Sequence, residues 1–204
     1  MSAGAEKTRH PNRRGNVATW LPNILTYVRI IAVPVVVGLL IYGGDMNHWI
    51  AVGIFILAAI TDFLDGYLAR IWQQQSSLGR MLDPIADKLL IASVLLAVTY
   101  TGEIHGFHIW AAIIILCREI LVSGLREYLA ELRVSVPVTQ LAKWKTTFQM
   151  VAIGFLMVGS AGDKLFHHTS TIGLTLLWIA AVATLYTGFD YFRVGVKHVM
   201  EEDK

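Results

Sequence analysis

The sequence predicts an all-α, polytopic membrane protein: six transmembrane helices around a polar cavity that opens to the cytoplasm. Three observations carry this. First, 55% of the 204 residues are apolar and only 16% are charged, against roughly 45–50% and 25% in an average soluble domain; the mean hydropathy is +0.55. Second, the apolar residues fall into six stretches, near 23–43, 48–72, 81–101, 107–130, 141–161 and 169–192. Third, the few charges inside those stretches lie at ends that an alternating topology brings to one side.

A span needs about 20 mostly apolar residues to cross roughly 30 Å of hydrocarbon. Only the sixth stretch, over 169–189, is that long without a charge; the uncharged runs 30–44, 48–61, 89–102, 104–117 and 146–162 are shorter. Each of these is prolonged at one end by residues that stay apolar but include charges. A soluble bundle is the alternative, yet six helices with hardly a polar stripe would not dissolve. Turn residues separate the stretches: Gly43-Gly44-Asp45, the polar run from Gln73 to Ser77, Thr101-Gly102, and Gly159-Ser160-Ala161-Gly162.

The segment 1–20 is polar and basic, and lacks the pattern of a removable signal peptide. The membrane domain is expected over 21–195 and a tail over 196–204. With both termini placed in the cytoplasm, the three outer loops hold one basic residue, Lys164, and the other 16 of 17 fall inside. That asymmetry is the positive-inside pattern. Five of the six tryptophans, Trp20, Trp49, Trp72, Trp110 and Trp144, sit near stretch ends, where interfacial belts form.

A net charge of +2 gives no basic excess for coating nucleic acid, so no nucleic-acid partner is expected. The single cysteine excludes an internal disulfide and a cysteine-based zinc site. Cys117 reads as a small core residue. His48, His105, His108, His167 and His168 fall near the outer loops and read as interfacial residues rather than ligands.

The charges inside the spans are Arg29; Asp62, Asp65 and Arg70; Asp83, Asp87 and Lys88; Arg118, Glu119, Arg126 and Glu127; Lys143 and Lys145; Asp190 and Arg193. A charge in hydrocarbon costs several kcal/mol unless paired, hydrated or metal-bound. Snorkelling explains lysines and arginines but not aspartates, whose stems are too short. A shared polar cavity accounts for both.

Asp62 and Asp65 are spaced i, i+3, and Asp83 and Asp87 i, i+4, so each pair lies on one helix face. A short polar turn joins the two helices, which lets the four carboxylates meet. Four carboxylates in a low-dielectric site cannot all stay ionised without cations, and their hard oxygens suit Mg²⁺ or Mn²⁺. Two such ions would match the clamp used in phosphoryl displacement. Gly66 and Ala69 leave room for a bulky ligand against the helix, and Arg70 can neutralise phosphate oxygens bidentately. Purely structural pairing with Arg70, Arg80 and Lys88 is the alternative, and it leaves the second metal-spaced pair and the small residues unexplained.

Asp62, Asp65-Gly66, Ala69-Arg70, Gly79, Asp83 and Asp87 match D-x2-D-G-x2-A-R-x8-G-x3-D-x3-D at every fixed position and spacing. At residue frequencies of about 6%, a chance match in this chain is on the order of 10⁻⁸. The chain thereby resembles the CDP-alcohol phosphotransferases. Pro22 to Thr26 with Arg29, Arg118-Glu119 through Glu127, and Lys143 to Thr147 look like the phosphatidylglycerophosphate synthase branch.

The resemblance implies that a hydroxyl attacks the β-phosphorus of CDP-diacylglycerol and that CMP leaves. It implies two divalent cations, Mg²⁺ or Mn²⁺, held by Asp62, Asp65, Asp83 and Asp87, with Asp87 also the catalytic base. Asn23, Thr26, Arg29, Gly66, Ala69, Arg70, Ser76 (or Ser77) and Gly79 would bind CDP-diacylglycerol. Arg118, Arg126, Lys143 and Lys145 would take the phosphate of sn-glycerol 3-phosphate, with Glu119 and Glu127 orienting them and Lys145 open to a second reading as a membrane anchor. A homodimer in the bacterial cytoplasmic (inner) membrane, among its lipids, is implied as well. Inositol phosphate, serine or phosphatidylglycerol as acceptor stays within the same chemistry; serine would not need the four cations. A cation transporter is the reading from another class, and it gives no reason for Gly66, Ala69 and Arg70.

Overall fold

The computed structural model describes residues 15–72, 77–132 and 140–202. Among them six α-helices and one 3-10 turn are found, with no strand: α1 Gly15–Tyr42, α2 Asp45–Trp72, α3 Ser77–Tyr100, the turn Gly106–His108, α4 Ile109–Glu131, α5 Gln140–Asp163 and α6 Thr169–Glu202. All six expected stretches are helical. α1 begins at Gly15, well before the apolar run that starts at residue 23, and so takes in part of the segment drawn at 1–20. α6 likewise runs through most of the tail drawn at 196–204. Hydropathy marks only the apolar part of a helix, whereas backbone hydrogen bonding propagates one residue at a time into polar sequence.

The α1–α2 turn shows how local sequence sets the packing. Gly43 and Gly44 have φ +74° and +92°, the left-handed region that glycine occupies without a Cβ penalty. The Gly43 N–H donates to the Leu39 carbonyl, and the Asn47 side chain donates to the Gly43 carbonyl at 2.7 Å. Such a tight reversal folds α2 back along α1. α1 packs most against α2 and α3, α5 against α6, α4 against α6, and α2 against α5.

Val36, Leu40, Phe55, Val94, Val98, Ile115, Ile153, Leu156 and Leu177 form one buried core. On α1 to α3 these residues lie away from the ends that carry Arg29, Asp62 and Asp87. Large apolar side chains also cover the outside, among them Ile31, Leu57, Leu96, Ile120, Val182 and Phe189. Three segments, Ile24–Tyr42, Gly106–Ala130 and Thr169–Arg193, are long and apolar enough to cross a membrane by length and composition. Cys117 is exposed on α4 rather than in the core. A helix that is apolar nearly all round carries no stripe to say which face turns inward.

The end opposite the aspartates is held by polar contacts. Lys164 pairs with Asp45 at 2.5 and 2.8 Å, an exposed ion pair of small energetic weight. The Ser170 hydroxyl and N–H both donate to Asp163, at 2.6 and 3.1 Å. These bonds hold the Asp163 carboxyl below the usual carboxylate range. His48 Nδ1 lies 2.8 Å from the Met157 carbonyl. Trp178, the tryptophan placed mid-span, donates its indole N–H to His108 Nδ1 at 3.0 Å and stacks on Phe107.

α5 is broken at Gly159, with φ +46° and ψ −127°. The Glu103 carboxylate occupies the space where a Cβ on Gly159 would stand, and it accepts the Ser160 N–H at 3.0 Å. Gly159→Ala is therefore expected to destabilise the fold by about 1–3 kcal/mol, from both the φ strain and the displaced carboxylate. Gly154→Ala on the same helix, where a Cβ meets nothing within 4 Å, is the control. Thermal denaturation of both variants in detergent checks this; equal melting temperatures would contradict it.

Candidate active site

Arg29 is the centre of the polar end. It stands on α1 with a relative side-chain exposure of 1%, and its Nη1 lies 2.6 Å from Asp62 Oδ1 on α2 and 2.7 Å from Asp87 Oδ1 on α3. The guanidinium donates to the Asp87 carboxylate. Three helices that are apolar for most of their length thus meet at a cation between two anions. The two carboxylates are 41% and 46% exposed. They face a cavity of about 420 Å³, lined also by Ala58, Leu90, Thr146, Thr147 and Gln149. Thr26, one turn before Arg29 on α1, is buried as well.

The donor chemistry at this point suits a hard divalent cation. Carboxylate oxygens from two separate helices share one guanidinium nitrogen, are partly open, and line the cavity. Among the described residues no three potential ligands converge. The side chains of Asp65 and Asp83 lie outside the described residues, although α2 and α3 are helical through both positions. The i, i+3 and i, i+4 relations therefore hold along the backbone. The side chains of Asn23, Gly66, Ala69, Arg70, Gly79 and Lys143 also lie outside, as does Ser76 altogether. Lys88 donates to the Pro84 carbonyl of its own helix at 3.1 Å.

A second polar group joins α4, α5 and α6. Lys145 has a relative side-chain exposure of 3% and donates to Glu119 Oε1. Arg118 Nη1 approaches the same oxygen at 3.6 Å, and Arg118 Nη2 donates to the Thr187 hydroxyl at 3.0 Å. That hydroxyl in turn donates to the Ala183 and Thr184 carbonyls, at 2.9 and 3.2 Å. The Arg118 and Arg126 guanidinium carbons lie 5.8 and 5.9 Å from the centroid of the buried Tyr191 ring, within cation–π range. Of the four predicted acceptor cations, three are thereby brought to one group. Glu119 touches two of them. Glu127 is exposed.

Lys145 is not a snorkelling anchor, because an anchor keeps its ammonium in water. Sequence reasoning missed Thr187, Tyr191 and Gln149. A buried arginine on an apolar helix requires partners, but nothing in the pattern of α6 says which residues supply them. α5 links the two groups: Lys145 belongs to the cation cluster, and Thr146, Thr147 and Gln149 line the carboxylate cavity.

Comparison with known proteins identifies the family. The CDP-alcohol phosphatidyltransferase family profile matches residues 19–186. A CDP-diacylglycerol–glycerol-3-phosphate 3-phosphatidyltransferase of Cereibacter sphaeroides is 40% identical, covering 89% of this chain and 98% of its own. The proteins of that name from Rickettsia bellii and Shigella flexneri are 43% and 35% identical, covering 87% and 89% of this chain and 96% and 98% of theirs. With the eight signature positions present and the profile spanning most of the sequence, the chain belongs to the CDP-alcohol phosphatidyltransferase family.

Proposed function

We propose that this protein transfers the phosphatidyl group of CDP-diacylglycerol to sn-glycerol 3-phosphate, giving phosphatidylglycerophosphate and CMP. The observation that carries the reading is the meeting of Arg29, Asp62 and Asp87 at one cavity. The printed names of relatives that align over most of the chain support it. Asp62, Asp65, Asp83 and Asp87 would hold two Mg²⁺ or Mn²⁺ ions, which when bound supply charge neutralisation at the diphosphate. Asp87 accepts the proton of the attacking hydroxyl. Arg29, with Thr26 and Asn23 on α1 and Gly66, Ala69, Arg70, Ser76 and Gly79 across the α2–α3 turn, holds the nucleotide and diphosphate.

The acceptor is a dianion, and its phosphate needs cations apart from the carboxylates. Arg118, Arg126, Lys143 and Lys145 serve this, with Glu119 keeping Arg118 and Lys145 in place. An apolar groove of about 900 Å³ between α2 and α5 shares Ala59, Met150 and Val151 with the cavity. That continuity supports an acyl chain lying beside the reacting headgroup. The protein works as a six-span enzyme of the bacterial cytoplasmic membrane, with both termini and the cavity on the cytoplasmic side, and as a homodimer.

Purified protein, Mn²⁺ and CDP-diacylglycerol, offered each acceptor in turn, test the proposal. CMP is expected with sn-glycerol 3-phosphate and not with serine or inositol phosphate, and chelation by EDTA stops its release. CMP with inositol phosphate alone would move the assignment to that acceptor. No CMP with any acceptor would end it.

A further inference from the structure

We infer that Gln149 reads the middle hydroxyl of the three-carbon acceptor, which makes it a specificity-determining residue for a vicinal diol phosphate. The inference rests on the acceptor proposed above. Gln149 is 3% exposed on α5 and lines the cavity that holds Arg29, Asp62 and Asp87. Its Oε1 is buried with no hydrogen-bond partner among the described residues. A desolvated amide oxygen without a donor costs free energy. An apolar side chain of similar size would avoid that cost if the position served packing alone.

The chemistry of the cavity narrows what the amide meets. Divalent cations are matched by the carboxylates, and a phosphate is matched by guanidinium and ammonium groups. A primary amide carries no charge and offers both an acceptor and donors. It is therefore suited to the parts of the acceptor that remain, its neutral hydroxyls. Gln149 is placed i+4 from Lys145, on the same face of α5, and about 6 Å further along the axis. A three-carbon chain with its phosphate at the Lys145 level and its terminal hydroxyl at Asp87 carries its middle hydroxyl past that step. There the Gln149 amide, whose oxygen has no donor among the described residues, meets that hydroxyl.

The test compares sn-glycerol 3-phosphate with 3-hydroxypropyl phosphate, which keeps the phosphate and the terminal hydroxyl but lacks the middle one. Both are offered to the full-length protein and to its Gln149→Met and Gln149→Leu variants, with CDP-diacylglycerol and Mn²⁺. The unmodified protein is expected to lose about tenfold in kcat/KM with the deoxy acceptor, the effect of one desolvated hydrogen bond. In the variants that ratio is expected to fall to within about threefold of unity, since only Gln149 has changed. Intrinsic reactivity of the two alcohols cancels between the enzymes. An unchanged CDP-diacylglycerol KM shows that the variants are folded.

Equal use of both acceptors by the unmodified protein overturns the inference without any variant. A tenfold preference that persists in Met and Leu variants overturns it too, because another group then reads the hydroxyl. Variants that bind the lipid donor but turn over neither acceptor also count against it, since a specificity residue leaves the chemistry running. Absence of CMP release from the unmodified protein with glycerol 3-phosphate is a separate result: it removes the proposed acceptor itself.

Discussion

Replacing Asp87 by Asn is expected to lower kcat at least about 10³-fold while CDP-diacylglycerol binding stays within a few-fold of normal. The substitution keeps the size of the side chain and an oxygen able to accept the 2.7 Å bond from Arg29. What it removes is the capacity to take a proton and one negative charge. General-base catalysis contributes roughly 10²–10⁴, and Asp87 is a half-exposed carboxylate at the cavity. CMP release under single-turnover conditions, beside direct titration of the lipid donor, separates the roles. If donor binding collapses together with kcat, Asp87 is chiefly a cation ligand, and the proton goes elsewhere.

Removing Arg29 is expected to injure stability and activity together. Its guanidinium is buried, and it neutralises two carboxylates from two other helices. Breaking a buried pair costs about 3–5 kcal/mol; because Asp62 and Asp87 are nearly half-exposed, solvent screening reduces this to about 2–3 kcal/mol for Arg29→Met. kcat/KM should drop by about 10² or more, since a group at the reacting centre is lost. Arg29→Lys is expected to recover only part, because an ammonium lacks the planar fork that serves two oxygens at once. Mn²⁺ should raise the melting temperature of Arg29→Met more than that of the unmodified protein, because the two carboxylates that lose the guanidinium regain a cation. An Arg29→Met protein as stable as the parent, with or without Mn²⁺, would show that α1 to α3 are held by apolar packing alone.

Both expectations rest on contacts that the sequence indicated to different degrees. The aspartates were legible because their spacing is a property of single helices: Asp62 and Asp65, or Asp83 and Asp87, share a face whatever lies opposite. Arg29 was expected at the site, but as a CDP-diacylglycerol-binding group closing it from α1. Its direct bonds to Asp62 and Asp87 depend on α1 lying between α2 and α3, with 58 residues separating Arg29 from Asp87. The acceptor cations were read as a list of basic residues at one depth. Their organisation by Glu119, Thr187 and Tyr191 comes from α4, α5 and α6 packing together.

By itself the sequence determined the six helices and the family to which the aspartate signature points. These follow from quantities summed along a local run, hydropathy and residue spacing, and they survive any arrangement of the helices. Tertiary structure alone decided that Lys145 is buried against Glu119 and not an anchor, that Cys117 faces outward, and that the Gln149 amide oxygen stands without a partner among the described residues. A helix apolar nearly all round has no periodic stripe, so its inward face is set only by the neighbours it meets. The cost of an unpaired buried charge or amide then decides which side chains must find each other there.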